Sequence, residues 1–195
     1  KDYPNTPLLY NISGTCYNAL GQLEEAVKSY ERALVIKPDY AVAHSNLSVT
    51  FMELGQLDES VRSVEKALAI KPDLAEAHYN LGNTLKELGQ LEVAVKSYEQ
   101  ALAAKLDDAE VHNNLGIALK ELGQLDAAVK SFKKALVIEP DNIEAHNNLG
   151  NILRELDQLD AALKSLEKAV AIKPDFAEAH NNLGNVLKDL RQFDA

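Results

Sequence analysis

The stretch IEAHNNLGNILRELDQLDAALKSLEKAVAIKPDF, residues 143–176, contains two helix-forming segments separated by a turn. In both segments apolar or small residues recur at the spacing of one helix face. Asp157 lies between the segments, where a short helix–helix turn needs a left-handed residue. Pro174 follows the second segment, and proline cannot continue a helix. The stretch therefore predicts an antiparallel pair of helices.

This helix pair recurs every 34 residues, and no insertion interrupts the period. The fragment LGQL begins at residues 20, 54, 88 and 122, and all five histidines keep the same spacing. The histidines are His44, His78, His112, His146 and His180. The predicted organisation is a tail of a preceding repeat (1–6), five repeats (7–40, 41–74, 75–108, 109–142 and 143–176) and a partial sixth (177–195). Because both ends fall within a repeat, we expect the chain to be part of a longer array.

Neither helix of a pair can bury its apolar stripe alone, so neighbouring pairs must stack. Gly150 and Ala162 are small, and we expect the two helices of the pair to touch there. In the second repeat Ser48 and Ser60 replace both residues at once, which favours direct contact between these positions.

The start of each first helix has an Asp followed three residues later by a Glu, which is typical of a capping box. The predicted pairs are Asp73 with Glu76, Asp107 with Glu110, Asp141 with Glu144, and Asp175 with Glu178. Leu106 replaces the closing proline between the third and fourth repeats, so we expect that junction to be looser or its helix to be longer.

The third repeat carries Leu81, Gly82, Leu85, Ala94, Tyr98 and Ala101 at the positions that identify a known repeat. With these residues and the 34-residue period, the chain resembles a tetratricopeptide-repeat (TPR) array. His78 and its equivalents stand where that family usually has Trp or another large side chain. The resemblance implies an all-α fold, a right-handed superhelical solenoid of antiparallel helix pairs whose first helices line a concave groove. It also implies protein or peptide partners and no catalytic residues.

At about 100° per residue, one arc of each first helix lies opposite its buried stripe and would face the groove. The predicted ligand-binding residues on this arc are Asn46, Tyr79, Asn80, Asn83, Lys86, Asn113, Asn114, Lys120, Asn147, Asn148, Asn151, Arg154, Asn181, Asn182 and Asn185. Each Asn costs up to ~0.7 kcal/mol in a helix relative to Ala. A carboxamide can hydrogen-bond a peptide backbone without reading its side chains, so binding could offset this cost.

The arrangement is similar to the asparagine ladder in the TPR superhelix of O-linked N-acetylglucosamine transferases, which holds extended substrate peptide. On that resemblance the ladder residues are Asn46, Asn80, Asn114, Asn148 and Asn182. Two alternatives remain: the asparagines bridge neighbouring repeats, or they persist because the repeats are recent duplicates.

Composition excludes several other classes of function. The net charge of −10 disfavours contacts with nucleic-acid phosphates and with anionic membranes. The sequence lacks the ~20-residue apolar run of a membrane span, which argues against membrane insertion, and has no signal-peptide layout, so we expect a cytoplasmic protein. Packed helices lie ~8–10 Å apart, so one His per repeat cannot share a zinc ion held at about 2 Å. We therefore predict no metal, no cofactor and no enzyme activity.

Three functions remain open. The first is a protein-interaction scaffold that takes an extended peptide in its groove. The second, suggested by the resemblance alone, is the recognition arm of a larger sulfo- or glycosyltransferase. The third is end-to-end self-association through uncapped termini, because the last helix carries the apolar residues Leu183, Val186, Leu187 and Leu190.

Overall fold

The computed structural model describes residues 6–104 and 107–193. These residues form eleven helices and no strand. The chain divides into two compact units, Lys1–Leu106 and Asp107–Ala195, which we describe separately. The predictions made for the tail before Thr6 and for Leu106 lie outside the described residues.

Unit 1 consists of three helix pairs. They are α1 (Pro7–Ala19) with α2 (Leu23–Ile36), α3 (Ala41–Glu53) with α4 (Leu57–Ile70), and α5 (Ala75–Glu87) with α6 (Leu91–Ala103). Within each pair the two helices pack against each other, and within the unit α2 also contacts α3 and α4 contacts α5.

Unit 2 repeats this arrangement. It contains α7 (Ala109–Glu121) with α8 (Leu125–Ile138), α9 (Ile143–Glu155) with α10 (Leu159–Ile172), and α11 (Ala177–Phe193), which packs against α9 and α10. The predicted all-α fold of stacked helix pairs is confirmed.

The turn within each pair has the predicted left-handed residue. Gly21, Gly55, Gly89 and Gly123 have φ between 70° and 72°. In the fifth repeat Asp157 takes this position with φ of 57°. Glycine adopts this conformation without steric cost, whereas Asp tolerates it less well. The predicted conformation at Asp157 is therefore confirmed.

The helices of a pair approach most closely where a first-helix glycine meets a large side chain. A Cβ added to Gly82 would lie 2.6 Å from the Tyr98 ring, and one added to Gly150 would lie 2.5 Å from Leu166. The sequence prediction placed the contact between the two helices at Gly150 and Ala162, and the large side chain that meets Gly150 is Leu166, four residues after Ala162. The glycine leaves room for this large buried side chain of the second helix, which is Tyr98 in the third repeat and Leu166 in the fifth.

In the second repeat the two helices pack at this point through different residues. Ser48 replaces the glycine, and the smaller Val64 stands where the third repeat has Tyr98. The Ser60 hydroxyl donates to the Ser48 carbonyl oxygen at 2.8 Å, so the predicted contact between these two serines is confirmed.

The N-terminal caps differ from the prediction. The caps of α7 and α9 are Asp108 and Asn142, whose side chains accept from the Val111 and Ala145 backbone N–H groups at 2.9 Å. The predicted caps Asp107 and Asp141 each lie one residue too early. Helix α5 begins after Leu74, which cannot cap with its side chain, so Asp73 is not its cap either.

Within each unit the first helices lie closer together than the second helices. Contacts join α1 to α3 and α3 to α5 in unit 1, and α7 to α9 and α9 to α11 in unit 2. Among the described residues no such contact joins successive second helices. Each stack therefore bends with its first helices inside, and we call their solvent-facing side the inner wall of that unit.

Candidate functional site

Three of the predicted asparagines on the inner walls bridge successive first helices. In each bridge the side-chain Nδ2 donates to a polar side chain 35 residues earlier. The bonds are Asn46 to Asn11 Oδ1 (3.1 Å), Asn80 to Ser45 Oγ (3.0 Å) and Asn182 to Asn147 Oδ1 (2.9 Å). These three asparagines therefore bridge neighbouring repeats, which was one of the two alternatives to ligand binding. Each bond uses one N–H of the donating carboxamide.

Asn113 and Asn147 do not face outward as the sequence analysis predicted. Their exposed fractions are 8% and 3%, because the next first helix covers this position. Asn147 is fully engaged: it accepts from Asn182 and donates through Nδ2 to Glu178 at 2.9 Å. The Glu178 carboxylate therefore accepts a hydrogen bond across the junction of α9 and α11 and does not form the predicted capping box.

The junction between α7 and α9 lacks this bridge. Asn148, the equivalent of Asn182, is half-buried and makes no hydrogen bond to any described residue. The buried Oδ1 of Asn113, which would be its acceptor, has no partner among those residues. A buried acceptor without a hydrogen bond costs roughly 1–3 kcal/mol. We call Asn113, Asn148 and Asn151 on this junction the open seam.

Asn83 has a structural task that the sequence analysis missed. Its Oδ1 accepts a 2.8 Å hydrogen bond from the hydroxyl of Tyr98, whose ring is fully buried. Thr15 and Tyr30 form the same pair in the first repeat, at 3.2 Å. The predicted groove residue Tyr79 also contacts Tyr98, with ring centroids 6.0 Å apart. The sequence alone could have indicated the hydrogen bond between Asn83 and Tyr98, because in both repeats a polar residue stands fifteen positions before the tyrosine.

Asn151 is equivalent to Asn83, but the fifth repeat has no tyrosine at the position from which a hydroxyl would donate to it. Leu166 stands where the third repeat has Tyr98, and Asn151 makes no hydrogen bond within the described chain. Asn185 is the equivalent residue on α11 and is half-buried. The carboxamide of Asn151 is therefore available to a ligand.

The other predicted residues differ in their availability. Arg154 donates through Nε to Asp189 Oδ2 at 2.6 Å and so ties α9 to α11. Lys86 and Lys120 are half-buried and form no ion pair with a described residue. Asn114 is half-buried, and Asn181 is exposed on α11.

The histidines join the first helices α3, α5, α7, α9 and α11 to the segments that precede them. The ring Nε2 of His44 donates to the Pro38 carbonyl oxygen at 3.0 Å. His78, His146 and His180 make the same bond to Pro72, Pro140 and Pro174 at 2.8–3.0 Å. His112 instead donates to Asp107 Oδ1 at 2.8 Å. These histidines therefore have a structural role at the start of their helices.

Burial lowers the pKa of His44 below its ordinary value. The hydrogen bond to Pro38 opposes this shift, and the charge of Lys66 adds to it. Within residues 6–104 and 107–193, no group of three or more His, Cys, Asp or Glu side chains could hold a metal ion. No described helix has the length and apolar character needed to cross a bilayer.

Comparison with known families agrees with this architecture. The family profile described as "TPR repeat" matches residues 14–55, 50–89, 82–123, 118–153 and 150–190. The chain belongs to the TPR family. No curated protein sequence matches it. Membership of the TPR family supports a role as a protein-interaction scaffold.

Solved TPR structures share the fold. YrrB, described as a TPR protein with an unusual peptide-binding site, is 25% identical with a TM-score of 0.74, and the match covers 91% of each chain. MamA is 24% identical with a TM-score of 0.75, over 85% of this chain and 96% of its own. TTC0263, a TPR protein of Thermus thermophilus, is 24% identical with a TM-score of 0.70, over 93% and 99%.

Proposed function

We propose that this TPR chain is a non-catalytic scaffold that binds an extended peptide, or an extended segment of a partner protein, along the inner wall of unit 2. The observation that carries the proposal is the open seam between α7 and α9. There a buried acceptor on Asn113 lacks a donor, and the carboxamide of Asn148 lacks any partner within the described chain.

The open seam has the chemistry that a peptide backbone requires. A backbone N–H can donate to the side-chain oxygens of Asn148 and Asn151, and a backbone carbonyl can accept from their amide groups. Each such bond contributes about 0.5–1.5 kcal/mol net. Because these groups meet the main chain, binding would tolerate changes in the peptide's side chains.

The bridging asparagines contribute less to this site than the sequence predicted. Asn46, Asn80 and Asn182 each use one N–H to join two first helices. Arg154 is held by Asp189. The proposed site therefore centres on the open seam and extends along α11 to Asn181 and Asn185. The description of YrrB as a peptide-binding TPR protein adds support to this proposal.

The proposal is tested with a peptide selected from a random display library on the full chain and measured by isothermal titration calorimetry. We expect the double variant Asn148→Ala/Asn151→Ala to bind it on the order of tenfold or more weakly, because two hydrogen bonds are lost. N-methylation of the peptide's contacting backbone amides should weaken binding comparably.

Asn46→Ala is the matched control, because it removes a bridging asparagine in unit 1 and should leave peptide affinity unchanged. Equal affinity of the parent and the Asn148→Ala/Asn151→Ala variant would refute the proposal. So would loss of affinity in the control alone.

A second candidate function is association between copies of the chain. The observation favouring it is a set of exposed apolar side chains on α1 and at its C-terminal end. They are Leu8, Leu9, Ile12 and Tyr17 on the helix and Leu20 directly after it, which is 70% exposed. On α11, Leu187 is also exposed, whereas its equivalents Leu85, Leu119 and Leu153 are buried.

A further inference from the structure

The second helices carry a basic residue at one recurring position, and among the described residues its ion pair occurs only in the first two repeats. Lys28 pairs with Glu25 at 2.6 Å, and Arg62 pairs with Glu59. In the later repeats, the acidic partner three residues earlier is replaced by Val93, Ala127 and Ala161. The lysines that follow these replacements are Lys96, Lys130 and Lys164.

Helix α8 adds two further lysines close to this position. It contains Lys130, Lys133 and Lys134 against a single acidic residue, Asp126, whereas α2 and α4 each contain three acidic and two basic residues. The three lysines are spaced three and four residues apart and so share one side of the helix. Val137 continues that side and is 81% exposed.

The second helix of the next repeat extends the same surface. Lys164 and Lys168 lie 34 residues after Lys130 and Lys134, at equivalent positions of α10, and both are exposed. We call Lys130, Lys133, Lys134, Lys164 and Lys168 the lysine face of unit 2. None of these ammonium groups forms a hydrogen bond or ion pair with a described residue.

We propose that the lysine face is a docking surface for a short acidic segment of another protein. Lys130, Lys133 and Lys134 are like charges three and four residues apart, a spacing that places them in mutual repulsion. Carboxylates of a partner would remove that repulsion and gain several ion pairs at once. The surface lies on second helices, so the proposal is independent of the peptide site on the first helices.

Charge distribution favours an acidic protein segment over a nucleic acid. The chain has a net charge of −10, and Asp126, Asp160 and Glu167 lie exposed on the same two helices. A nucleic acid has a phosphate at every step and would meet these carboxylates. A peptide can place its acidic residues at intervals that match the lysines and keep neutral residues between them.

The test uses the full chain and a fluorescent synthetic peptide of alternating Glu and Ser, with binding measured by fluorescence anisotropy at low salt. The parent should bind this peptide and should not bind the Gln–Ser equivalent. The triple variant Lys130→Gln/Lys133→Gln/Lys134→Gln should bind on the order of tenfold more weakly, because three exposed ion pairs are lost. Added salt should weaken binding to the parent.

The matched control is Lys28→Gln/Arg62→Gln/Lys96→Gln, which removes the same net charge from the second helices of unit 1. It should bind the acidic peptide nearly as well as the parent. Equal losses in the two triple variants would show a net-charge effect and overturn the proposal. Absence of peptide binding to the parent would also overturn it, as would tighter binding of an oligothymidylate. Circular dichroism checks that both variants stay folded.

Discussion

Asparagine performs several different tasks at closely related positions of this chain. Asn182 joins two first helices, Asn83 accepts from a buried tyrosine hydroxyl, and Asn148 has no hydrogen bond to a described residue. All three lower helix propensity by a similar amount. Structural bonds compensate for that loss at Asn182 and Asn83, whereas Asn148 receives no such compensation. This difference at the residue scale is what points to a ligand.

Alanine at these positions should separate the two roles in stability. Asn148→Ala should leave the free energy of unfolding unchanged or raise it by up to ~0.7 kcal/mol, because only helix propensity changes. Asn182→Ala should lower it by about 1 kcal/mol or more, because the buried Asn147 Oδ1 loses its donor. Urea unfolding measures both values. Equal destabilisation by the two substitutions would contradict the open seam.

His44 should make stability depend on pH. An unfolded histidine has a pKa of about 6.5, and burial lowers the pKa of His44 in the folded chain. The folded state therefore binds this proton less readily than the unfolded state. The stabilising contribution of neutral His44 is complete above about pH 6.5 and is lost as pH falls through the folded pKa.

Substitution isolates this contribution. His44→Gln should lower the free energy of unfolding more at about pH 8 than at about pH 5, because protonation of the unfolded histidine below about pH 6.5 reduces the contribution of the neutral ring. Urea unfolding of parent and variant at both pH values measures the difference. A larger effect at the acidic pH would show that the assigned direction of the pKa shift is wrong.

At the scale of single elements, the close approach of glycine to a large side chain fixes how each helix pair packs. Gly82→Ala would place a Cβ 2.6 Å from the Tyr98 ring. We expect a loss of about 1–3 kcal/mol in the free energy of unfolding, because the buried ring cannot move aside. Gly184→Ala on α11 is the control: nothing lies within 4 Å of its added Cβ, so it should not destabilise.

The second repeat suggests a compensating change, because Ser48 there occurs with Val64. Gly82→Ala/Tyr98→Val should be less destabilised than the sum of its single substitutions, since the smaller side chain leaves room for the methyl group. Urea unfolding of the two single variants and the double variant measures the coupling. Strict additivity would mean that Gly82 and Tyr98 do not constrain each other.

Sequence periodicity was sufficient to predict the elements. The period, the turn residues and the stripes locate both helices of every described repeat, because these signals are local. One detail was wrong for a physical reason: Asn142 and not Asp141 caps α9. The difference is a shift of one residue, which a helical pattern does not resolve.

The individual tasks of the asparagines were less accessible to sequence reasoning. A bridge such as Asn80 to Ser45 joins side chains 35 residues apart, and the repeated sequence alone does not show which bridge forms and which stays open. The burial of Asn147 likewise depends on the neighbouring first helix, which a projection of one isolated helix ignores. The pairing of Asn83 with Tyr98, in contrast, could have been found by comparing repeats.

At the scale of the whole molecule, the exposed apolar residues of α1 predict association between copies. Leu20 is 70% exposed and Tyr17 lies beside it on the same helix end. Static light scattering over a concentration series should show an apparent mass that rises with concentration, and Leu9→Lys/Leu20→Lys should reduce the rise. A constant monomer mass in the parent would rule out the second candidate function.

We propose that the open seam of unit 2 holds a peptide by its main chain. The most direct measurement follows the side-chain amide resonances of asparagine by NMR while the selected peptide is added to the ¹⁵N-labelled full chain. We predict that the resonances of Asn148 and Asn151 shift in proportion to occupancy, and that those of the bridging Asn46 stay unchanged. Peptide binding that leaves Asn148 and Asn151 unchanged would contradict the claim.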